Sequence, residues 1–132
     1  GTTIFNGDHK TNFFTVHGRL IADTLVFVNG SSTGKSYSWT SPSIEMKSSL
    51  SGGAIHFTGG LSSGNLIDCT FLNNNYMDTV NHGRDIWNEG ELVLNYNNFA
   101  PGWDNAPRPV RNDGVLRVTP EEVWDDVARF QN

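Results

Sequence analysis

Three stretches of this chain place their apolar residues at the same offsets from a glycine, and this repetition limits the fold more than any other feature. Before Gly18 stand Phe14 and Val16, after it Leu20 and Ala22, and then Leu25 and Phe27 at seven and nine residues on. Gly90 has Ile86, Asn88, Leu92 and Leu94 at those offsets, with Phe99 at plus nine. Gly114 has Val110, Asn112, Leu116 and Val118, with Val123 at plus nine. A fourth copy, GGAIHFTGGLSSGNLIDCTF, keeps Ile55, Phe57, Leu66, Cys69 and Phe71. About three extra residues in its Gly/Ser turn leave its middle register ambiguous. Self-similarity at a unit of about two dozen residues is the mark of a stacked architecture.

Within each unit the apolar residues alternate, which is the period of a strand and not the 3.6 of a helix. A helical solenoid is thereby excluded. Each unit holds three such segments, too short to make a sheet among themselves, so their backbone groups must pair with the neighbouring units. Parallel stacking of equivalent strands, about 4.8 Å apart, satisfies those groups and buries alternate side chains in one interior column. The expected fold is therefore all-β, a parallel β-helix or solenoid of about four rungs, near 12–30, 52–75, 84–100 and 108–118. A long loop spans 31–51. At 132 residues the chain is sized for a single domain, 1–132.

The residues themselves carry a resemblance. GGAI followed by CTFLNN, and then DIWNEGELVLNYNNF, is similar to the GGAI and FxxN repeats of polymorphic outer-membrane proteins and adhesin-like microbial surface proteins. More broadly it resembles the right-handed β-helix repeats of the pectate-lyase-like superfamily, over residues from about 12 to 118. That resemblance implies a right-handed coil and places any groove between one strand face and its adjoining loops. The chain departs from the motif at Gly83-Arg84-Asp85-Ile86, which stands in place of GGAI, and at Asn97, which stands where the preceding unit has Cys69.

An open solenoid exposes strand edges and core at its ends. At the C-terminal end, TPEEVWDDVARFQN offers Thr119 as N-cap, Pro120 at the first helical position and Glu122 three residues after the cap. With Val123, Val127 and Phe130 on one face, a short capping helix over 120–130 is expected, covering the last rung or docking on another protein. The N-terminal GTTIFNGDHKTN offers only a partial strand at Ile4–Asn6 and a turn. The first rung then needs a cover from a missing upstream segment or from another subunit, and a head-to-tail contact of that kind propagates into a filament. Cys69, level with Leu25 and Asn97, reads as a buried small hydrophobe. Asn88 and Asn112 share one slot and form either an amide ladder or two satisfied turns.

The long connections, between Phe27 and Ile55, Phe71 and Ile86, and Phe99 and Val110, all fall at the same place in the unit. They should project from one edge and can wall a groove. The outward residues of the next strand are Thr15, His56, Trp87 and Arg111. With Tyr37, Trp39, Tyr76 and Trp103 in the loops, His56, Trp87 and Arg111 make a candidate glycan- or protein-binding face, because aromatic rings stack on sugar rings while polar tips fix hydroxyls. The competing reading is that loop 31–51 covers Trp87 and makes a private core with these aromatics.

Composition narrows the partners. A net charge of −5 and no basic stripe exclude phosphate-backbone binding, so no nucleic acid is expected. No apolar run is long enough to span a bilayer, so membrane insertion is not expected. One cysteine and four histidines exclude an internal disulfide and a standard zinc site. No cofactor is expected, and no motif defines a calcium site in the Asp/Asn-rich loops. Of the acids Asp68, Asp78, Asp85, Asp104 and Asp113, no two recur on the strand face of His56 and Trp87. Asp85 is nearest, while Asp104 and Asp113 read as turn residues. The polar residues are chiefly Gly, Asn, Ser and Thr rather than ion pairs, as in extracellular β proteins. The opening GTTIFNG reads as a start left after a signal sequence is removed, and Asn29-Gly30-Ser31 is a glycosylation sequon. The expectation is a secreted or cell-surface structural or adhesive module, with a glycan, a surface protein or further copies of itself as partner. The alternative is a small polysaccharide lyase or glycoside hydrolase.

Overall fold

The computed structural model describes residues 2–32, 35–40, 43–48, 52–76, 83–103, 106–120 and 123–124, with the backbone alone for 35–48 and 123–124. The described chain is all-β. Its strands are β1 (Thr3–Asn6), β2 (Phe14–Val16), β3 (Arg19–Asp23), β4 (Leu25–Val28), β5 (Lys35–Thr40), β6 (Ser43–Ser48), β7 (Ile55–Phe57) and β8 (Ser63–Ile67). There follow β9 (Thr70–Leu72), β10 (Ile86–Asn88), β11 (Glu91–Asn95), β12 (Asn98–Phe99), β13 (Val110–Asn112), β14 (Val115–Val118) and β15 (Val123–Trp124).

Apart from the β5–β6 hairpin, the strands form three parallel sheets. The first runs β1-β4-β9-β12-β15, the second β13-β10-β7-β2 and the third β14-β11-β8-β3. Consecutive strands visit second, third and first sheet in a fixed cycle, an arrangement compatible with a parallel β-helix. Successive equivalents lie side by side, so each inward position becomes a column. Phe5, Phe27, Phe71 and Phe99 stack in register with centroids 5.5, 5.1 and 4.7 Å apart and planes within 18° of parallel. Ile55, Ile86 and Val110 form a second fully buried column, and Ala22, Leu66 and Leu94 a third.

The register settles the ambiguous copy. Ser63 pairs with Glu91 and Leu66 with Leu94, so Gly64 takes the slot of Leu92 and the extra residues form a turn at 58–62. The space left by Gly64 is filled from the next column. A Cβ on Gly64 would lie 2.4 Å from the Phe57 ring, and Phe57 occupies the slot of Asn88 one strand along. A large-small pair, Phe57 with Gly64, thus replaces the medium pair Asn88 with Leu92, which conserves filled volume.

Two corners recur. Between third and first sheets, Thr24, Asp68 and Tyr96 occupy equivalent positions, all with positive φ (57°, 53° and 58°). One left-handed residue turns the chain from sheet to sheet. At the far edge of the first sheet, Asn29 and Asn73 repeat the device with φ 59° and 54°, and Asn tolerates this region better than most residues. The glycine that opens GGAI has a steric role. A Cβ on Gly52 would lie 2.5 Å from the Trp87 nitrogen, and Gly83, at φ +89°, meets Ile86 and Arg111 in the same way one strand on.

Three expectations are corrected. The helix expected over 120–130 is not present among the described residues: Val123–Trp124 is strand β15, parallel to β12. Thr119 continues the ladder, its N–H donating to the Leu94 carbonyl at 3.2 Å. An unpaired β12 edge, with a β-branched and an aromatic residue at hand, outweighs the local capping pattern; residues 121–122 and 125–132 lie outside the described part. The partner of Phe99 is Trp124 and not Val123, because the last connection is one residue longer. Segment 31–51 is not simply a loop, since β5 and β6 pair antiparallel with Tyr37 opposite Met46 and Trp39 opposite Ile44.

The N-terminal end is better covered than the sequence suggests. β1 adds a strand to β4, and Phe13 joins Phe5 over Phe27, with ring centroids 5.9 Å from Phe5 and 5.6 Å from Phe27. Phe14 meets Phe5 edge-on at 5.7 Å. β2 and β3 remain edge strands of their sheets.

Candidate functional site

The outward residues of the second sheet stand in one row, Thr15, His56, Trp87 and Arg111, each in register with the next. The strand spacing of about 4.8 Å lets flat groups on neighbouring strands lie against one another. The His56 and Trp87 rings are 4.4 Å apart and 6° from parallel, and the Arg111 guanidinium lies 5.3 Å from the Trp87 ring centroid. Since β7 and β13 flank β10 on opposite sides, histidine covers one face of the indole and arginine the other.

Two carboxylates fasten this stack. Glu89 Oε1 lies 2.7 Å from His56 Nε2. Asp113 Oδ2 accepts from both Trp87 Nε1 and Arg111 Nε, each at 2.8 Å. Glu89 and Asp113 follow the paired residues Asn88 and Asn112, so they are neighbours along the same corner. Sequence reasoning missed Glu89 and read Asp113 only as a turn residue. The signal was available: each acid sits at the position after the Asn slot, and the outward row supplies its cationic or N–H partner.

Beneath this corner the Asn slot does both things left open by the sequence. Asn88 Nδ2 donates to Asn112 Oδ1 at 2.8 Å, and each Asn accepts from the glycine two residues on, Gly90 N–H at 3.1 Å and Gly114 N–H at 3.3 Å. Amide ladder and satisfied turn coexist.

The loop candidates divide. Tyr76 and Trp103 meet edge to face, 5.5 Å apart at 71°, and His9 lies 6.2 Å from Tyr76. Tyr76 remains 51% exposed. These residues come from three connections that lead from the first sheet toward the second. Tyr37 and Trp39 lie on β5, and their side chains fall outside the described part.

Asp85, expected near Trp87 as the closest acid, is buried at 1% exposure and turned into the corner. It accepts from Arg84 Nε at 3.2 Å and from Asn74 Nδ2 at 2.8 Å. Arg84, 3% exposed, also donates to the Ala100 carbonyl at 2.7 Å. Asn74 accepts from Gly30 N–H at 2.8 Å, and Asn75 accepts from Ser32 N–H at 2.7 Å and donates to the Gly83 carbonyl at 3.1 Å. The Arg-Asp replacement in GGAI therefore builds a buried polar clasp that holds three connections together. Its members bond to one another and to backbone, so it is a fastening and not a reactive centre.

No family model, curated protein or solved structure matches this chain. The site must be judged on its own chemistry.

Cys69 is 1% exposed. Its N–H donates to Asn97 Oδ1 at 2.9 Å, and Asn97 Nδ2 donates to the Leu66 carbonyl at 2.8 Å. Burial pushes the thiol pKa above its ordinary 9.0, outweighing its bonds to backbone, which act the other way. A neutral buried thiol is a poor nucleophile. Among the described residues no group of three or more His, Cys, Asp or Glu side chains gathers to hold a metal ion.

Proposed function

We propose that this chain is an extracellular structural or adhesive module, a right-handed parallel β-helix of about four rungs, that engages a glycan or surface protein through its corner loops. The reading rests on one observation. Both faces of Trp87 are occupied, by His56 and Arg111, so the outward row of the second sheet is fastened to itself and offers no bare indole for a sugar ring. The aromatic surface left for a partner is the Tyr76–Trp103 pair, with Tyr76 half exposed. Similarity of the GGAI and CTFLNN motifs to surface-protein repeats supports the same reading, and the free edges of β2 and β3 suit end-to-end association with further copies. The test is a glycan and cell-binding assay with Trp103→Ala and Tyr76→Ala. Binding should fall while melting temperature holds, and binding equal to the parent in both variants would overturn the assignment to this corner.

A second reading, a small carbohydrate-active enzyme, draws on Glu89 and Asp113, two carboxylates on one corner, as glycoside hydrolysis requires. Against it, each is committed to a partner, Glu89 to His56 and Asp113 to Arg111 and Trp87, whereas a catalytic carboxyl must reach the scissile bond. Release of reducing ends from a polysaccharide panel that is abolished by Glu89→Gln or Asp113→Asn would decide for the enzyme.

A further inference from the structure

We propose that the outward face of the third sheet carries a binding site for one neutral sugar unit, seated over β8 between Arg19 and Glu91. This site lies on a different sheet from the fastened row of Trp87 and does not depend on the aromatic corner.

The register builds the groove. Arg19, Ser63 and Glu91 stand in one row across β3, β8 and β11, and Ile21, Asn65 and Val93 in the next outward row, which Arg117 of β14 continues. Ser63 is shorter than Arg19 and Glu91 on either side, so these two rise as walls around an open groove of about 290 Å³ lined by Arg19, Ser63, Asn65, Glu91 and Val93.

Its chemistry selects the ligand. Arg19 can only donate hydrogen bonds and ionised Glu91 can only accept them. Their strands are two spacings apart, about 9.6 Å, and neither side chain has an ion-pair or hydrogen-bond partner among the described residues. Asn65 is already oriented: its Oδ1 accepts from Asn95 Nδ2 at 3.1 Å, which leaves its own amide N–H groups facing outward as donors. A ligand that fills the groove must therefore accept at the Arg19 end and at Asn65, and donate at the Glu91 end. A small anion serves Arg19 alone and a small cation Glu91 alone. Hydroxyl groups do both, and a pyranose ring with a hydrogen bond at each end has the right span, while Val93 offers an apolar patch to its C–H groups.

The test is an amide NMR titration of the full chain with glucose, galactose, mannose and N-acetylglucosamine, with inorganic phosphate and ammonium as charged controls that lack hydroxyls on a ring. At least one neutral sugar should shift the amides of Ser63, Asn65 and Val93 saturably, with the millimolar Kd expected of a shallow site. The two ions, each able to serve one wall only, should give no saturable shift at all three amides. Ser63→Leu, which fills the groove, and Glu91→Ala should each weaken the response without lowering the melting temperature. The proposal is overturned if no neutral sugar gives saturable shifts at these amides, or if Ser63→Leu responds like the parent. Shifts that grow with protein concentration and ignore sugar would also overturn it, by assigning the face to a second copy of the chain.

Discussion

The indole of Trp87 lies flat on the imidazole of His56, 4.4 Å away and 6° from parallel, although 31 positions separate the two residues in the chain. That contact exists because β7 and β10 are in register, and it makes Trp87 part of the fastening of the second sheet. Trp87→Ala should therefore lower stability by about 1–3 kcal/mol, from lost ring contact and the lost bond to Asp113. Trp87→Phe, which keeps a ring but no N–H, should cost less. Urea unfolding of both variants checks this, and a double-mutant cycle with His56→Ala should give a coupling of about 0.5–1.5 kcal/mol. An unchanged midpoint for Trp87→Ala would mean that the stack contributes nothing.

In the core, Phe71 sits between Phe27 and Phe99 and is 1% exposed. Phe71→Ala opens a cavity in the middle of the column and should cost about 3–5 kcal/mol. Phe71→Leu, which keeps most of the volume, should cost clearly less, read as a smaller drop in melting temperature.

Thr24 and Tyr96 hold left-handed corners at φ 57° and 58°, where a β-branched or bulky residue is strained. Thr24→Gly and Tyr96→Asn relieve that strain, so each should raise stability, by about 1 kcal/mol. Gly83→Ala works in the opposite direction, because φ is +89° and the new Cβ would press on the Ile86 carbonyl. Its melting temperature should fall well below that of the parent.

Breaking the buried Arg84–Asp85 pair from one side leaves an uncompensated charge. Asp85→Ala should cost about 3–5 kcal/mol. The double change Arg84→Gly with Asp85→Ala recreates the GGAI residues of the preceding unit and removes both charges, so it should be less damaging than Asp85→Ala alone. Additive losses in the double variant would show that the two side chains act independently, Asp85 through Asn74 and Arg84 through the Ala100 carbonyl.

The Cys69 thiol should resist a neutral disulfide reagent at pH 7 in the folded protein and react fully in denaturant. Its folded pKa lies above the ordinary 9.0. As pH rises past that ordinary value the unfolded chain releases the proton first, so this group's contribution to stability is intact below it and declines above it. Unfolding curves at neutral and alkaline pH, compared between the parent and Cys69→Ser, isolate the effect.

Local spacing alone determined the strand cycle, the inward columns of Phe27, Phe71 and Phe99, the burial of Cys69, and the outward row of His56, Trp87 and Arg111. Alternation is a property of a few consecutive residues, because each strand turns successive side chains to opposite faces. The tertiary structure decided everything that depends on which strand lies beside which. It exchanged Phe57 and Gly64 for Asn88 and Leu92, paired Phe99 with Trp124, drew Val123–Trp124 into a strand against a helix-capping signal, and turned Asp85 inward to Arg84 and Asn74. It also closed both faces of Trp87. Those partners come from segments tens of residues apart, brought within one strand spacing by stacking, and no period within a single unit encodes what its neighbours along the stack will offer.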